Sequence, residues 1–161
     1  MRRRNIRAST KGQHPPHIFL HQNPANLPDS GSYVIIIALK QTKTLKIGSL
    51  GKIKLTHGYY AYAGSAKRAL RARITRHLRH KKKRKHWHID TLTSLPSTHI
   101  RAIACNPKPE NECKIAAYLI KKMKNYVRGF GSTDCKCPSH LAYSTNYQKL
   151  IKAVKMVVKN S

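Results

Sequence analysis

Residues 58–80, GYYAYAGSAKRALRARITRHLRH, set a tyrosine-rich strand, a glycine and a cationic amphipathic helix in direct succession. A strand alternates its side chains with period two, so the hydroxyls of Tyr60 and Tyr62 point to one face. Gly64 allows a turn where a side chain would obstruct, and the strand is expected to break there into a helix. Rotating by about 100° per residue from Leu70 aligns Ala66, Leu70, Ile74 and Leu78 in an apolar stripe that should face a sheet. His77 falls inside the stripe and Arg73 at its edge, whereas Arg68, Arg71, Arg76 and Arg79 project to the other side. Taken singly, Arg73 reads equally well as a snorkelling arginine and His77 as a hydrogen-bonded core histidine. It is their convergence with the tyrosines that marks a site.

The 161 residues, 40% of them apolar, suffice for one domain with a core plus a tail. Thirty-three Lys and Arg against five acids give a formal charge of +28, a self-repulsion that calls for a polyanion, and nucleic acid is the natural partner. A membrane partner is set aside, because no apolar run approaches the roughly 18 residues that would span a bilayer. Residues 1–30 carry no acid before Asp29 and are rich in Arg, Pro, Asn and His, so they read as a poorly ordered basic arm. Prolines at 15, 16, 24 and 28 oppose the helix of a mitochondrial presequence, and no secretory apolar core is present. Free cysteines and a cytoplasmic location are therefore expected.

Downstream, 33–39 (YVIIIAL) is a continuous apolar, β-branched run, as expected of a central strand buried on both faces. Shorter strands over 44–47 and 52–55 flank the turn GSLG, and with 59–63 they suggest a small antiparallel meander. A short helix over 86–95 stops before Pro96, 99–105 reads as a strand, and 112–124 as a helix with Ile115, Ala116, Leu119, Ile120 and Met123 at helical spacing. After the loop GFGSTDCKCPSH comes an amphipathic C-terminal helix, its apolar face made by Tyr147, Leu150, Ile151, Val154, Val157 and Val158. The expected organisation is an arm over 1–30, a domain over 31–145 and a packed helix over 146–161.

Acid scarcity shortens the search for a hard-metal ligand to Asp29, Asp90, Glu110, Glu112 and Asp134. Glu112, on a core helix, is the best placed, although a first-turn carboxylate also simply suits the helix dipole. In order, Gly31-Ser32-Tyr33 opens the first long strand, Tyr62-Ala63-Gly64 ends a later one, and Arg73, His77 and Glu112 follow. This ordered set resembles the GIY-YIG nuclease superfamily. The segments GYYAYAGSA, RHLR, HWHID and GFGSTDCKCPSHLAY look most like a little-characterised prokaryotic branch of it, over roughly residues 31 to 145.

The resemblance implies an α+β fold, a three-stranded antiparallel sheet flanked by helices. It implies Tyr33 and Tyr62 as motif tyrosines, Arg73 as the scissile-phosphate contact, His77 as a helper and Glu112 as ligand of Mg²⁺ or Mn²⁺. The activity implied is phosphodiester hydrolysis of nucleic acid, DNA first, as in repair or processing. A tyrosine, or water it orients, would act as base, a divalent ion would neutralise the leaving oxygen, and Arg73 would stabilise charge on the phosphate. The alternative is a basic DNA- or RNA-binding module on the same fold that does not cut. Candidate nucleic-acid contacts are Tyr60, Arg76, the run Lys82, Lys83, Arg84 and Lys85, and Trp87, the one tryptophan, which could stack on a base.

Cys135, Cys137 and His140 gather soft ligands in one loop and could form a structural Zn²⁺ site, with Cys105 and Cys113 elsewhere. Two cysteines two residues apart do not make the usual C-x2-C knuckle, and spacing identifies no fourth ligand. His86, His88 and Asp90 form another polar cluster, of the kind that serves more often as surface or capping groups.

Overall fold

The computed structural model describes residues 17–19, 24–81 and 84–161. Among these are seven strands, β1 (His17–Phe19), β2 (Gly31–Leu39), β3 (Lys43–Lys46), β4 (Lys52–Leu55), β5 (Gly58–Ala66), β6 (Thr98–Asn106) and β7 (Leu141–Ser144). Four α-helices accompany them, α1 (Leu70–Leu78), α2 (His88–Thr93), α3 (Glu112–Met123) and α4 (Tyr147–Asn160). The fold is α+β. The main sheet runs β1-β6-β2-β5-β7 with every pairing antiparallel.

The apolar run of β2 explains its central place. Tyr33, Ile35, Ile37 and Leu39 enter one core with Leu70 and Ile74 of α1 and Ile89 and Leu92 of α2. Val34 and Ile36 alternate into a second core under α3 and α4. Asn106 donates from Nδ2 to the carbonyls of Val158 and Ser161, 3.0 Å each, tying β6 to the end of α4. Asn146 caps the start of α4, its side chain accepting from the amide of Lys149 at 2.9 Å.

Three expectations change. The sheet has four strands, β6-β2-β5-β7, with the three-residue β1 added at the outer edge of β6, instead of three. The segment LAYS forms β7 on the edge of β5, too short to show a period beside a loop of Gly, Cys, Pro and Ser. The strands over 43–46 and 52–55 pair only with each other, as a separate two-stranded sheet.

A fourth change concerns Gly64. β5 does not break there but continues to Ala66, and Gly64 lies opposite Tyr33 in the register. A Cβ at Gly64 would stand 2.5 Å from both Cζ and Oη of Tyr33, so the glycine makes room for a ring and does not make a turn. Ala66 accordingly belongs to the strand, and the chain turns into α1 through Ala69, whose φ of 55° is left-handed. Of the expected arm, 1–16 and 20–23 lie outside the described residues, while 17–19 pair with β6. Among the described residues no helix is long and apolar enough to cross a membrane.

Candidate active site

Where β2 and β5 meet the helices, the structure holds a cavity of about 210 Å³. Tyr33, Tyr62, Arg73, His77 and Glu112 all line it, so one pocket collects the five residues that the resemblance singles out. Ser65, His86, Trp87, His88, Thr133 and Asp134 add to its polar and aromatic wall. Each side chain is delivered by a separate element: Tyr33 by β2, Tyr62 and Ser65 by β5, Arg73 and His77 by α1, and Glu112 by the first residue of α3.

Behind the tyrosine runs a chain of three side chains. The Tyr33 hydroxyl lies 3.1 Å from His77 Nε2, and His77 Nδ1 lies 3.3 Å from Asp90 Oδ1. A carboxylate accepts only, so Nδ1 carries the proton toward Asp90, and in the neutral imidazole Nε2 is then the acceptor for Tyr33. Asp90 is fully buried at its side chain, and its Oδ2 also accepts from Arg76 Nη2 at 2.8 Å and from the amides of His86 and Trp87 at 2.9 and 3.0 Å. Burial alone would raise its carboxyl, but the hydrogen bonds from His77, Trp87 and His86 outweigh it and hold the acid well below the usual carboxylate range. Tyr33 and Tyr62 shift the other way. Burial first, then the neighbouring Tyr62, pushes Tyr33 well above an ordinary phenol; burial and then the Glu112 charge raise Tyr62.

Arg73 donates from Nη1 to the carbonyl of Ser65, and its guanidinium lies 4.9 Å from the centre of the Trp87 ring. Arg76 also lies over that ring, at 4.4 Å. Its bond to Asp90 draws Arg76 back toward the buried carboxylate and leaves its side chain only 25% exposed, unlike the outward charges of α1. Trp87 therefore lines the pocket as a plate under two cations.

Glu112 faces the cavity with its side chain 27% exposed. One oxygen accepts from Ser65 Oγ, and the other lies 3.0 Å from His140 Nδ1. Burial opposes its ionisation, yet the hydrogen bonds from His140 and Ser65 prevail and lower its pKa. The same contact works in reverse on His140, where burial is outweighed by Glu112 and the imidazole is raised. On its far side, His140 Nε2 lies 3.3 Å from Cys135 Sγ and 3.9 Å from Cys113 Sγ. Cys113, Cys135, Cys137 and His140 offer ligand atoms all within 4.8 Å of one another, a group that could hold a metal ion such as zinc.

The remaining expected contacts scatter. Tyr60 is buried and donates its hydroxyl to the carbonyl of Thr56 at 2.6 Å, which closes it to a nucleic acid. Lys82 and Lys83 lie outside the described residues, while Arg84 and Lys85 are exposed. Ser65, Asp90 and Cys113 are the site residues that spacing does not place. The chain offers one signal for them: Asp90 is one of five acids in a strongly basic protein, and such a residue rarely stands unpaired.

A family model described as "Domain of unknown function DUF123" matches residues 32–161. No curated protein and no solved structure matches the chain.

Proposed function

The chain belongs to the DUF123 family, whose function is unknown, and from the chemistry of the cavity we propose that it hydrolyses phosphodiester bonds of nucleic acid at a GIY-YIG-type site. The observation that carries this reading is the convergence of Tyr33, Tyr62, Arg73 and Glu112 on one pocket, with the Tyr33–His77–Asp90 chain behind it. A polyanion-binding surface needs cations, but it has no use for a carboxylate facing two tyrosines.

Arg73 would bind the non-bridging oxygens of the scissile phosphate, its guanidinium steadied by the Ser65 carbonyl and the Trp87 ring. Tyr33 is too hard to ionise to be a resting phenolate, so it acts with its neighbour. As water attacks phosphorus, its proton passes to Tyr33 Oη while the hydroxyl proton of Tyr33 moves to His77 Nε2, and Asp90 offsets the imidazolium charge. Tyr62 orients the phosphate and the attacking water beside Tyr33, the two rings lying 6.4 Å apart.

The oxygen donors facing the pocket, the carboxylates of Glu112 and Asp134 with the hydroxyls of Ser65 and Thr133, are of the type that Mg²⁺ or Mn²⁺ takes. Such a cation, when bound, supplies charge neutralisation at the leaving oxygen. The test is Glu112→Ala: cleavage supported by Mg²⁺ or Mn²⁺ should fall by about 10²-fold or more, with nucleic-acid affinity little changed. Undiminished cleavage sinks the mechanism. A wild-type chain that binds DNA and RNA but cuts neither favours the non-catalytic module, which the +28 charge suits equally.

A further inference from the structure

The pocket chemistry leaves four soft donors unused immediately beside it. Cys113 is the second residue of α3, Cys135 and Cys137 come from the loop before β7, and His140 directly precedes that strand. All four cysteines of the chain are free thiols. With Zn–S near 2.3 Å and Zn–N near 2.05 Å, a tetrahedral zinc centre needs S···N edges of about 3.6 Å and S···S edges of about 3.8 Å. The observed S···N separations of 3.3 and 3.9 Å bracket the first, and the 4.8 Å limit on the whole set leaves little adjustment for the second.

We propose that Cys113, Cys135, Cys137 and His140 bind one Zn²⁺ as three thiolates and an imidazole, and that His140 thereby locks Glu112 in its place at the pocket. The first half stands on the donor set alone, and the second rests on the reading of Glu112 as the site's carboxylate. Zinc at Nε2 leaves the ring proton on Nδ1, a buried atom that pairs by distance with Glu112 Oε1 at 3.0 Å. Metal-bound histidines commonly hand their second N–H to a carboxylate, and that bond fixes ring and carboxylate together. Ser65 holds the other oxygen, so Glu112 is gripped from both sides. Binding displaces the thiol protons to solvent, and the resulting centre, with charge −1, is welcome in a chain of +28. Cys113 joins Glu112 to this centre by one peptide bond, so the metal would anchor the start of α3 as well.

Elemental analysis of the purified full chain should find about one zinc per chain, and Cys137→Ser should lose about tenfold or more of that occupancy. Because a cysteine variant can fail to fold, the wild type is also loaded with Co²⁺, whose visible spectrum should carry the intense ligand-field bands and thiolate charge transfer of a tetrahedral sulfur-rich site. A histidine ¹⁵N–¹H correlation spectrum of the zinc form should place the His140 proton on Nδ1, and His140→Cys should keep the metal while removing that resonance. Zinc well below stoichiometry, or an octahedral cobalt spectrum, overturns the site. A proton on Nε2 overturns the link to Glu112. Cleavage enters none of these measurements, so a chain that holds zinc but does not cut overturns the hydrolase reading alone.

Discussion

Asp90 is the most heavily engaged side chain of the site: two nitrogen-bearing side chains and two backbone amides meet its two oxygens with no solvent access. Removing the charge from such a group strands partners that were desolvated to meet it. Asp90→Asn should cost about 3 kcal/mol in denaturant unfolding at pH 7, and it should also slow cleavage, because the His77 imidazolium loses its counter-charge. The pH dependence follows from the depressed pKa. In the unfolded chain the acid titrates near the ordinary value of about 3.9, and in the folded chain lower. Its stabilisation is therefore fully present above the unfolded value and is lost as pH falls through the folded one. Stability of the wild type should drop below about pH 5, and the Asn variant should show a shallower drop. Gly64 makes the companion case. Gly64→Ala puts a methyl group 2.5 Å from the Tyr33 ring, which must leave its place opposite β5 and with it the bond to His77. The variant should melt several degrees lower and lose most cleavage, whereas an unshifted melting curve would mean that Tyr33 has somewhere else to go.

At the scale of elements, the legible parts are those with a sustained period. The apolar run of β2 declares a central strand, α3 and α4 carry helical spacing, and Glu112 emerges because only five acids compete with it. The illegible parts turn on closure in space. A break expected at Gly64 puts Ser65 in a turn, so its grip on Glu112 is readable only once β5 is known to continue to Ala66. Cys113 sits on a helix far along the chain from Cys135, and only the packing of α3 against β7 completes the soft-ligand set. Helix α4 tests how independent the two faces of the sheet are. Leu150 and Val154 are buried in the core opposite the pocket. Leu150→Ala should cost about 2–5 kcal/mol, and Lys155→Ala, on the exposed side, should stay within about 0.5 kcal/mol. Neither substitution should change how tightly the folded protein holds nucleic acid, as measured well below its melting temperature.

Over the whole molecule, the five acids are spent unevenly. Asp90 and Glu112 are committed to internal partners and Asp134 lines the pocket, so only Asp29 and Glu110 are left to relieve a surface carrying most of the thirty-three cations. A polyanion that lies on this surface must release condensed counterions as it does so. The logarithm of affinity should then fall linearly with the logarithm of salt concentration, with a slope of about 0.9 per neutralised phosphate on duplex DNA. The slope also locates the path of the nucleic acid. Arg84 and Lys85 are exposed and directly precede His86 and Trp87 at the pocket wall, while Lys152, Lys155 and Lys159 are exposed on α4, across the sheet. If the strand enters the pocket, replacing Arg84 and Lys85 together by Ala should lower the slope by about 1 to 2, and replacing two lysines of α4 should leave it unchanged. The opposite pattern would put the bound strand on the α4 face. A phosphate held there cannot reach Arg73, so that outcome would separate the charge of this protein from its pocket and leave the hydrolase reading without a route for its substrate.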